Sequence, residues 1–350
     1  MATTVYHQQR IAFQIRGFMK HHSSFRPKAV VAVAVTLMLL GAGQAVSAAD
    51  AADSVPLPAE IAPKAVSAQM NDLAVAGSTL VAVGDRGVVL TSAEGKTWKQ
   101  SKSPVDVLLN AVYFVDDKTG WAVGHDASII HTKDGGATWS VQTYSAADNR
   151  PFMDVLFLDA QRGMAIGAYG LFKITQDGGS TWSDFSDPAF SENNPHLNGL
   201  TRISDGSLLL VGEAGLVATS SDGQAWTVRP TGYEGSLFSA IPRGERGVMV
   251  VGMRGNAMEA ADVSCPEWKK IDTGTDKSLF GLTDLGGGRV AIGGNSGALT
   301  LLAPGKPPQA LTPPKEAELS LSTAYGGLAF WNGQLLGLTD RGVKVVYTQP

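Results

Sequence analysis

Apolar residues recur along the chain in short blocks, and each pair of blocks is separated by the same polar turn. The pattern reads LVAVGDRGVVL (80–90), GWAVGHDASII (120–130), GMAIGAYGLFK (163–173), LLLVGEAGLVA (208–218), VMVVGMRGNAM (248–258), VAIGGNSGALT (290–300) and LLGLTDRGVKV (335–345). The turn opens at 84, 124, 167, 212, 252, 294 and 339, so the spacing stays between 40 and 45 residues. No block shows the 3.6-residue period of an amphipathic helix. Short apolar runs bounded by glycine are strands, and glycine at such turns supplies the positive φ of a tight hairpin. Each copy therefore predicts a central β-hairpin.

A second pattern follows the hairpin in the early copies. TSAEGKTW (91–98), HTKDGGATW (131–139), ITQDGGSTW (174–182) and TSSDGQAW (219–226) each place an acidic residue and glycine before a tryptophan, and AADVSCPEW (260–268) is a decayed fifth. The aspartate side chain can accept from its own turn's amides, and the tryptophan can wedge between sheets. A further strand precedes each hairpin, as in LNAVYFV (109–115) and MDVLFLD (153–159). Four strands in about forty residues, repeated at a fixed period, predict an all-β fold, a seven-bladed β-propeller of four-stranded blades. The seventh copy ends at Pro350, where its outer strand should begin. The extended segment Val55 to Pro63 is expected to supply that strand, closing the ring and removing a sheet edge.

The front of the chain departs from the repeat. Residues 1–48 hold five bases and no acid, and residues 29–49 are uncharged. The apolar run decays into glycine and ends at Val46-Ser47-Ala48, the small residues a signal peptidase requires. This predicts a secretory signal peptide over 1–48 and a single propeller domain over 49–350, soluble in the periplasm. An uncleaved anchor is the alternative, since 21 uncharged residues can just cross a bilayer. Cleavage changes the formal charge from −4 to −9. An acidic chain with scattered lysines is a poor nucleic-acid ligand. One cysteine in the whole chain, Cys265, excludes a disulfide framework and a thiolate zinc site, and a buried, inert thiol is expected there. Glycine, at 41 of 350 residues, shows no every-third-residue spacing, which excludes collagen.

The turns as they stand at 132–139 and 175–182 are Asp-boxes and resemble the bacterial neuraminidase repeat. Together with the Val-Gly-x-x-Gly hairpins, they make residues 50–350 similar to the photosystem II stability and assembly factor family. The resemblance implies a seven-bladed propeller acting outside the cytoplasm as an assembly chaperone without enzyme activity. Cyanobacterial members are lipid-anchored, and this chain has no lipobox cysteine after its apolar run. A periplasmic member from a non-photosynthetic bacterium, serving another membrane or envelope complex, is the form expected.

Asp134, Asp177 and Asp222 recur once per unit, so they are read as turn locks rather than active-site carboxylates, with Trp139, Trp182 and Trp226 as packing residues. The third turn positions are Arg86, Asp126, Tyr169, Ala214, Arg254, Ser296 and Arg341. Repeat symmetry puts all of them on one face, with Arg86 and Arg341 on adjoining blades and Arg254 two blades from Arg341. Guanidinium groups suit bidentate carboxylate recognition, so Arg86, Arg254 and Arg341 are candidate partner-binding residues for an acidic protein segment. The competing reading pairs each arginine with a neighbouring carboxylate, such as Asp85 or Asp340. The enzyme alternative is a sialidase-like glycoside hydrolase, or a carbohydrate-binding propeller. A sialidase needs an arginine triad with a tyrosine and a glutamate, for which only Tyr169, Tyr233 and Glu234 offer themselves. His125 and His131 have no third ligand nearby in sequence. No metal, no cofactor and no catalytic residue is expected, and the chain is expected to be a monomer.

Overall fold

Seven antiparallel sheets follow one another along the chain, and in each the strands pair in sequence order from the centre outward. The computed structural model describes residues 55–349 except residue 192; the signal peptide expected over 1–48 lies outside the described residues. Six sheets hold four strands, at 70–101, 109–143, 152–184, 197–228, 237–271 and 279–310, and the seventh, at 325–348, holds three. The first strands touch in order round a ring, and Met70–Ala76 of blade 1 meets both Leu109–Phe114 of blade 2 and Tyr325–Trp331 of blade 7. The expected seven-bladed propeller is thus the fold, and its ring is closed.

The second strand of each blade explains the apolar blocks. Gly120–Gly124, Gly163–Gly167 and Leu208–Gly212 are buried along their whole length, because each strand is covered on both faces by neighbouring blades. A strand covered on both faces reads as a continuous apolar run, not as an alternation. The hydrophobic clusters accordingly lie between blades. Trp139 of blade 2 packs with Val81 and Val83 of blade 1, and Trp226 of blade 4 packs with Met164 and Phe172 of blade 3. Trp182 lies against the cluster shared by blades 2 and 3, Trp98 against the one shared by blades 7 and 1. Each tryptophan therefore wedges against the preceding blade.

Polar side chains tie the inner strands together. Asn71, Asn110 and Asn198 each donate to a carbonyl of the next blade's first strand: Leu109 at 2.9 Å, Phe152 at 2.7 Å and Leu237 at 2.8 Å. Asp72 accepts from the Val112 amide and Asp154 from the Leu200 amide, at 2.8 and 2.7 Å. Between blades 6 and 7 the backbones themselves meet: a Cβ on Gly281 would stand 2.9 Å from the Gly327 Cα.

Closure takes a different route from the expected strand. Val55 to Pro63 forms no strand of blade 7. It runs outside the last strand of blade 1, where the Ala59 amide donates to Ser103 and the Gln100 side chain both accepts from the Ala62 amide and donates to the Glu60 carbonyl. The next residues, around the short 3-10 turn Ala65–Ser67, pack on the third strand of blade 7. In blades 1, 4 and 5 the second glycine of the central turn lies under a carbonyl of the following inter-blade linker: Gly87 under Val105, Gly215 under Tyr233, Gly255 under Thr275. In blade 7 Gly342 lies under the carbonyl of Val66. The N-terminal segment is therefore the missing linker from blade 7 to blade 1, not its missing strand.

In blades 1 and 3 to 6 the two glycines of the central turn do different work; blade 2 carries Ala127, at φ +45°, in the second position and blade 7 carries Thr339 in the first. The first is extended, at φ −172° for Gly84, and any residue adopts that conformation. It must be glycine because a Cβ would stand 2.0 Å from the Gln69 carbonyl oxygen. Only the second, such as Gly87 at φ +66°, supplies the left-handed turn expected of both.

Candidate protein-docking face

Antiparallel strands that step outward put the central turns and the inter-blade linkers on one face, and the Asp-Gly turns on the other. On the first face, hydrogen bonds within blades 1 to 6 tie each central turn to the entry of its own inner strand along the rim. The amides of Asp85, His125, Ala168, Glu213, Met253 and Asn295 donate to carbonyls just before the inner strands, of Gln69, Leu108, Pro151, His196, Ser236 and Ser278. The third residue of the turn projects beyond this rim. In blades 1 to 6 its backbone is left-handed, with φ between 50° and 56° at Arg86, Asp126, Tyr169, Ala214, Arg254 and Ser296. A side chain in that conformation costs roughly 1–2 kcal/mol. The strain belongs to the turn, because alanine and serine bear it as well as arginine.

Arg86, Arg254 and Arg341 are all exposed on this face. Arg341 reaches it by a different turn. Blade 7 joins its strands through Asp340 and Arg341 alone, the Thr339 hydroxyl accepts from the Arg341 amide at 3.0 Å, and Gly342 takes the positive φ of 91°. Its backbone is not equivalent to those of the other two, as repeat symmetry had it. Arg86 makes no ion pair with Asp85, nor Arg341 with Asp340.

Asp134, Asp177 and Asp222 lie on the opposite face, each inside its own turn. Asp134 accepts from the Thr132 hydroxyl at 2.8 Å, the Thr138 amide at 2.9 Å and the Thr138 hydroxyl at 2.5 Å. Burial raises its pKa, but the bonds from Thr138 and Thr132 outweigh this and hold the carboxyl below its ordinary range. Asp177 repeats the arrangement with Thr181 and Thr175, and its pKa is likewise lowered, first by the Thr181 hydroxyl. Asp222 accepts from the Ser220 hydroxyl and the Gln224 amide. A cleft of about 460 Å³ between blades 2 and 3 on this face includes Asp116, Asp177 and His131. Asp116 and Asp177 are occupied by their own turns, Asp116 accepting from the Lys118 and Thr119 amides at 2.8 and 2.6 Å.

The residues weighed for other chemistry are dispersed. Tyr169 is exposed at the tip of blade 3, its ring 4.6 Å from that of His196. Tyr233 donates its hydroxyl to the Met253 carbonyl at 3.0 Å. His131 is buried and stacks on Trp121 with ring centroids 4.9 Å apart. Among the described residues no group of three His, Cys, Asp or Glu side chains could hold a metal ion. Cys265 is exposed, not buried: its loop projects from blade 5, where Asp262 caps the Ser264 amide in place of a full Asp-Gly turn.

A groove of about 410 Å³ on the arginine face had no place in the motif reading. It lies beside the central turn of blade 4, between the linkers on either side. One signal in the sequence points to it: the interval from 167 to 212 is 45 residues, and the surplus falls in the linker that carries the helical turn Pro188–Ser191.

The model of the photosynthesis system II assembly factor YCF48 family matches residues 90–289. Among solved structures, YCF48 bound to a D1 peptide is similar with a TM-score of 0.65 and 19% identity, covering 85% of this chain and 100% of that one. YCF48 from Cyanidioschyzon merolae has a TM-score of 0.63 and 15% identity, with 83% and 98% covered. The WD40 propeller domain of Doa1 has a TM-score of 0.60 and 13% identity, with 79% and 92% covered, which marks the fold alone. No curated protein matches the chain in sequence.

Proposed function

The chain belongs to the YCF48 family of photosystem II assembly factors, and from that premise we propose that it is a non-catalytic, protein-binding propeller of the periplasm. Its client is an acidic segment of a membrane or envelope protein, and its docking face is the one that carries Arg86, Arg254 and Arg341. The observation that carries this reading is the exposure of three arginines on one face of a chain whose charge is −9 without residues 1–48. A positive patch on an acidic body orients an acidic partner, and guanidinium forks then hold its carboxylates. The YCF48 structure bound to a D1 peptide supports a peptide ligand for this kind of propeller. The location rests on the signal peptide read in residues 1–48, and the chain acts as a monomer.

Replacing all three arginines with glutamine tests the reading. Exposed charges contribute little to stability, so the melting temperature should hold. Crosslinked capture from the native envelope should weaken and lose its dependence on salt. If the triple variant captures the same proteins with the same salt sensitivity, the docking face lies elsewhere on the molecule.

A further inference from the structure

The groove on blade 4 opens on the arginine face and is joined to Arg254 through a single side chain. Tyr233 forms one wall, and its hydroxyl donates to the carbonyl of Met253, the residue before Arg254, at 3.0 Å. The tyrosine is held closely: a Cβ on Gly235 would stand 2.2 Å from its hydroxyl oxygen, and one on Gly215 would stand 1.7 Å from its carbonyl oxygen. The floor is equally fixed. Phe190 is 7% exposed and packs edge-on against Trp226 at 6.2 Å. Above this floor Leu216, Val228 and Pro230 present apolar surface, with Val228 39% exposed. Arg229 lies at the groove's edge, its Nε donating to the Thr219 hydroxyl at 2.9 Å.

We propose that this groove takes an apolar side chain, aromatic or branched, of the same client segment whose carboxylates the arginines hold. The inference rests on the docking reading above and adds the second half of the recognition. A charged patch steers and orients, but tight association depends on a large side chain buried in a preformed, rigid pocket. The occupant follows from the surroundings: Arg229 lines the groove, Arg254 follows the Met253 carbonyl that Tyr233 holds, and the one carboxylate in the lining, Glu213, accepts from the His196 amide at 3.2 Å, so a segment with acidic residues beside one large apolar residue is complementary to the whole. The groove is preformed, which lowers the ordering cost of binding.

Acetylated peptides test this directly: Asp-Asp, a glycine spacer of increasing length, then phenylalanine, against the same series ending in alanine. Binding to the chain lacking residues 1–48 is read by fluorescence anisotropy. With the matching spacer, the phenylalanine peptide should bind about tenfold more tightly than its alanine twin. Val228→Lys should bring that ratio close to one without weakening the alanine peptide, since the new charge favours an acidic ligand while its stem fills the groove. Val228→Thr, which keeps the shape and removes apolar surface, should lower the ratio in the same direction. The arginine triple variant should weaken both peptides and leave the ratio unchanged. A ratio near one at every spacer length overturns the groove, as does a high ratio that survives both Val228 variants or the absence of saturable binding by any peptide. If the ratio behaves as expected but the arginine variant binds both peptides normally, the groove stands and the arginine docking reading falls.

Discussion

Gly342 and Val66, at opposite ends of the described chain, meet so closely that a Cβ on Gly342 would stand 2.1 Å from the Val66 carbonyl oxygen. The contact closes the propeller: the third strand of blade 7 ends its turn under the N-terminal segment, which then enters the first strand of blade 1. Gly342→Ala must both bear a left-handed backbone and displace that carbonyl. Gly206 has the same φ of 91° with nothing within 4 Å of its Cβ position, so it separates the two costs. Gly206→Ala should cost about 1 kcal/mol in chemical denaturation, and Gly342→Ala about 3 kcal/mol or more. Equal losses would mean that the Val66 contact contributes nothing to closure.

Truncation separates closure from edge cover. Starting the chain at Pro63 removes the segment hydrogen-bonded to Gln100 and Ser103 and exposes the outer strand of blade 1, but spares Val66. A modest fall in melting temperature is expected, near that of Gln100→Ala. Starting it at Met70 removes the linker and should lower the melting temperature far more and promote aggregation through the opened ring. Similar melting curves for the two truncations would contradict the closure described here.

Asp134→Ala removes the acceptor of three turn bonds and should destabilise by about 1–2 kcal/mol. Its turn lies on the face opposite Arg86, so peptide affinity of the folded variant should be unchanged. Selective loss of binding at normal stability would transfer function to that face.

Burial lowers the pKa of both His125 and His131, and Lys133 lowers that of His131 further. Both imidazoles are therefore neutral in the folded state where the unfolded chain would begin to bind protons. Their contribution is fully present above the ordinary value of 6.5 and is lost as pH falls below it toward the lowered folded values. Stability should drop between neutral pH and the onset of carboxylate protonation. His131→Phe, which keeps the stack on Trp121, should flatten the profile; a profile identical to wild type would remove His131 as a cause.

The number of blades, their order and the wedge made by each tryptophan were legible in the sequence, because each depends on residues a few positions apart. A turn such as Thr132 to Trp139 closes its hydrogen bonds within itself, so it recurs in recognisable form wherever the segment recurs. The central turns were legible in place but not in mechanism. Gly84 looks like a turn glycine and is extended, and what demands it is the Gln69 carbonyl, which lies before the first strand of the same blade. Closure could not be read from the chain, because a free strand-like segment is compatible with the edge of blade 7 or of blade 1. Only Gln100 and Ser103 on one side, and Gly342 on the other, decide between them. Apart from the long linker before blade 4, the groove is hidden for the same reason: Phe190, Leu216 and Tyr233 come from two linkers and a turn that have no shared pattern, and only the tertiary structure brings them round one groove.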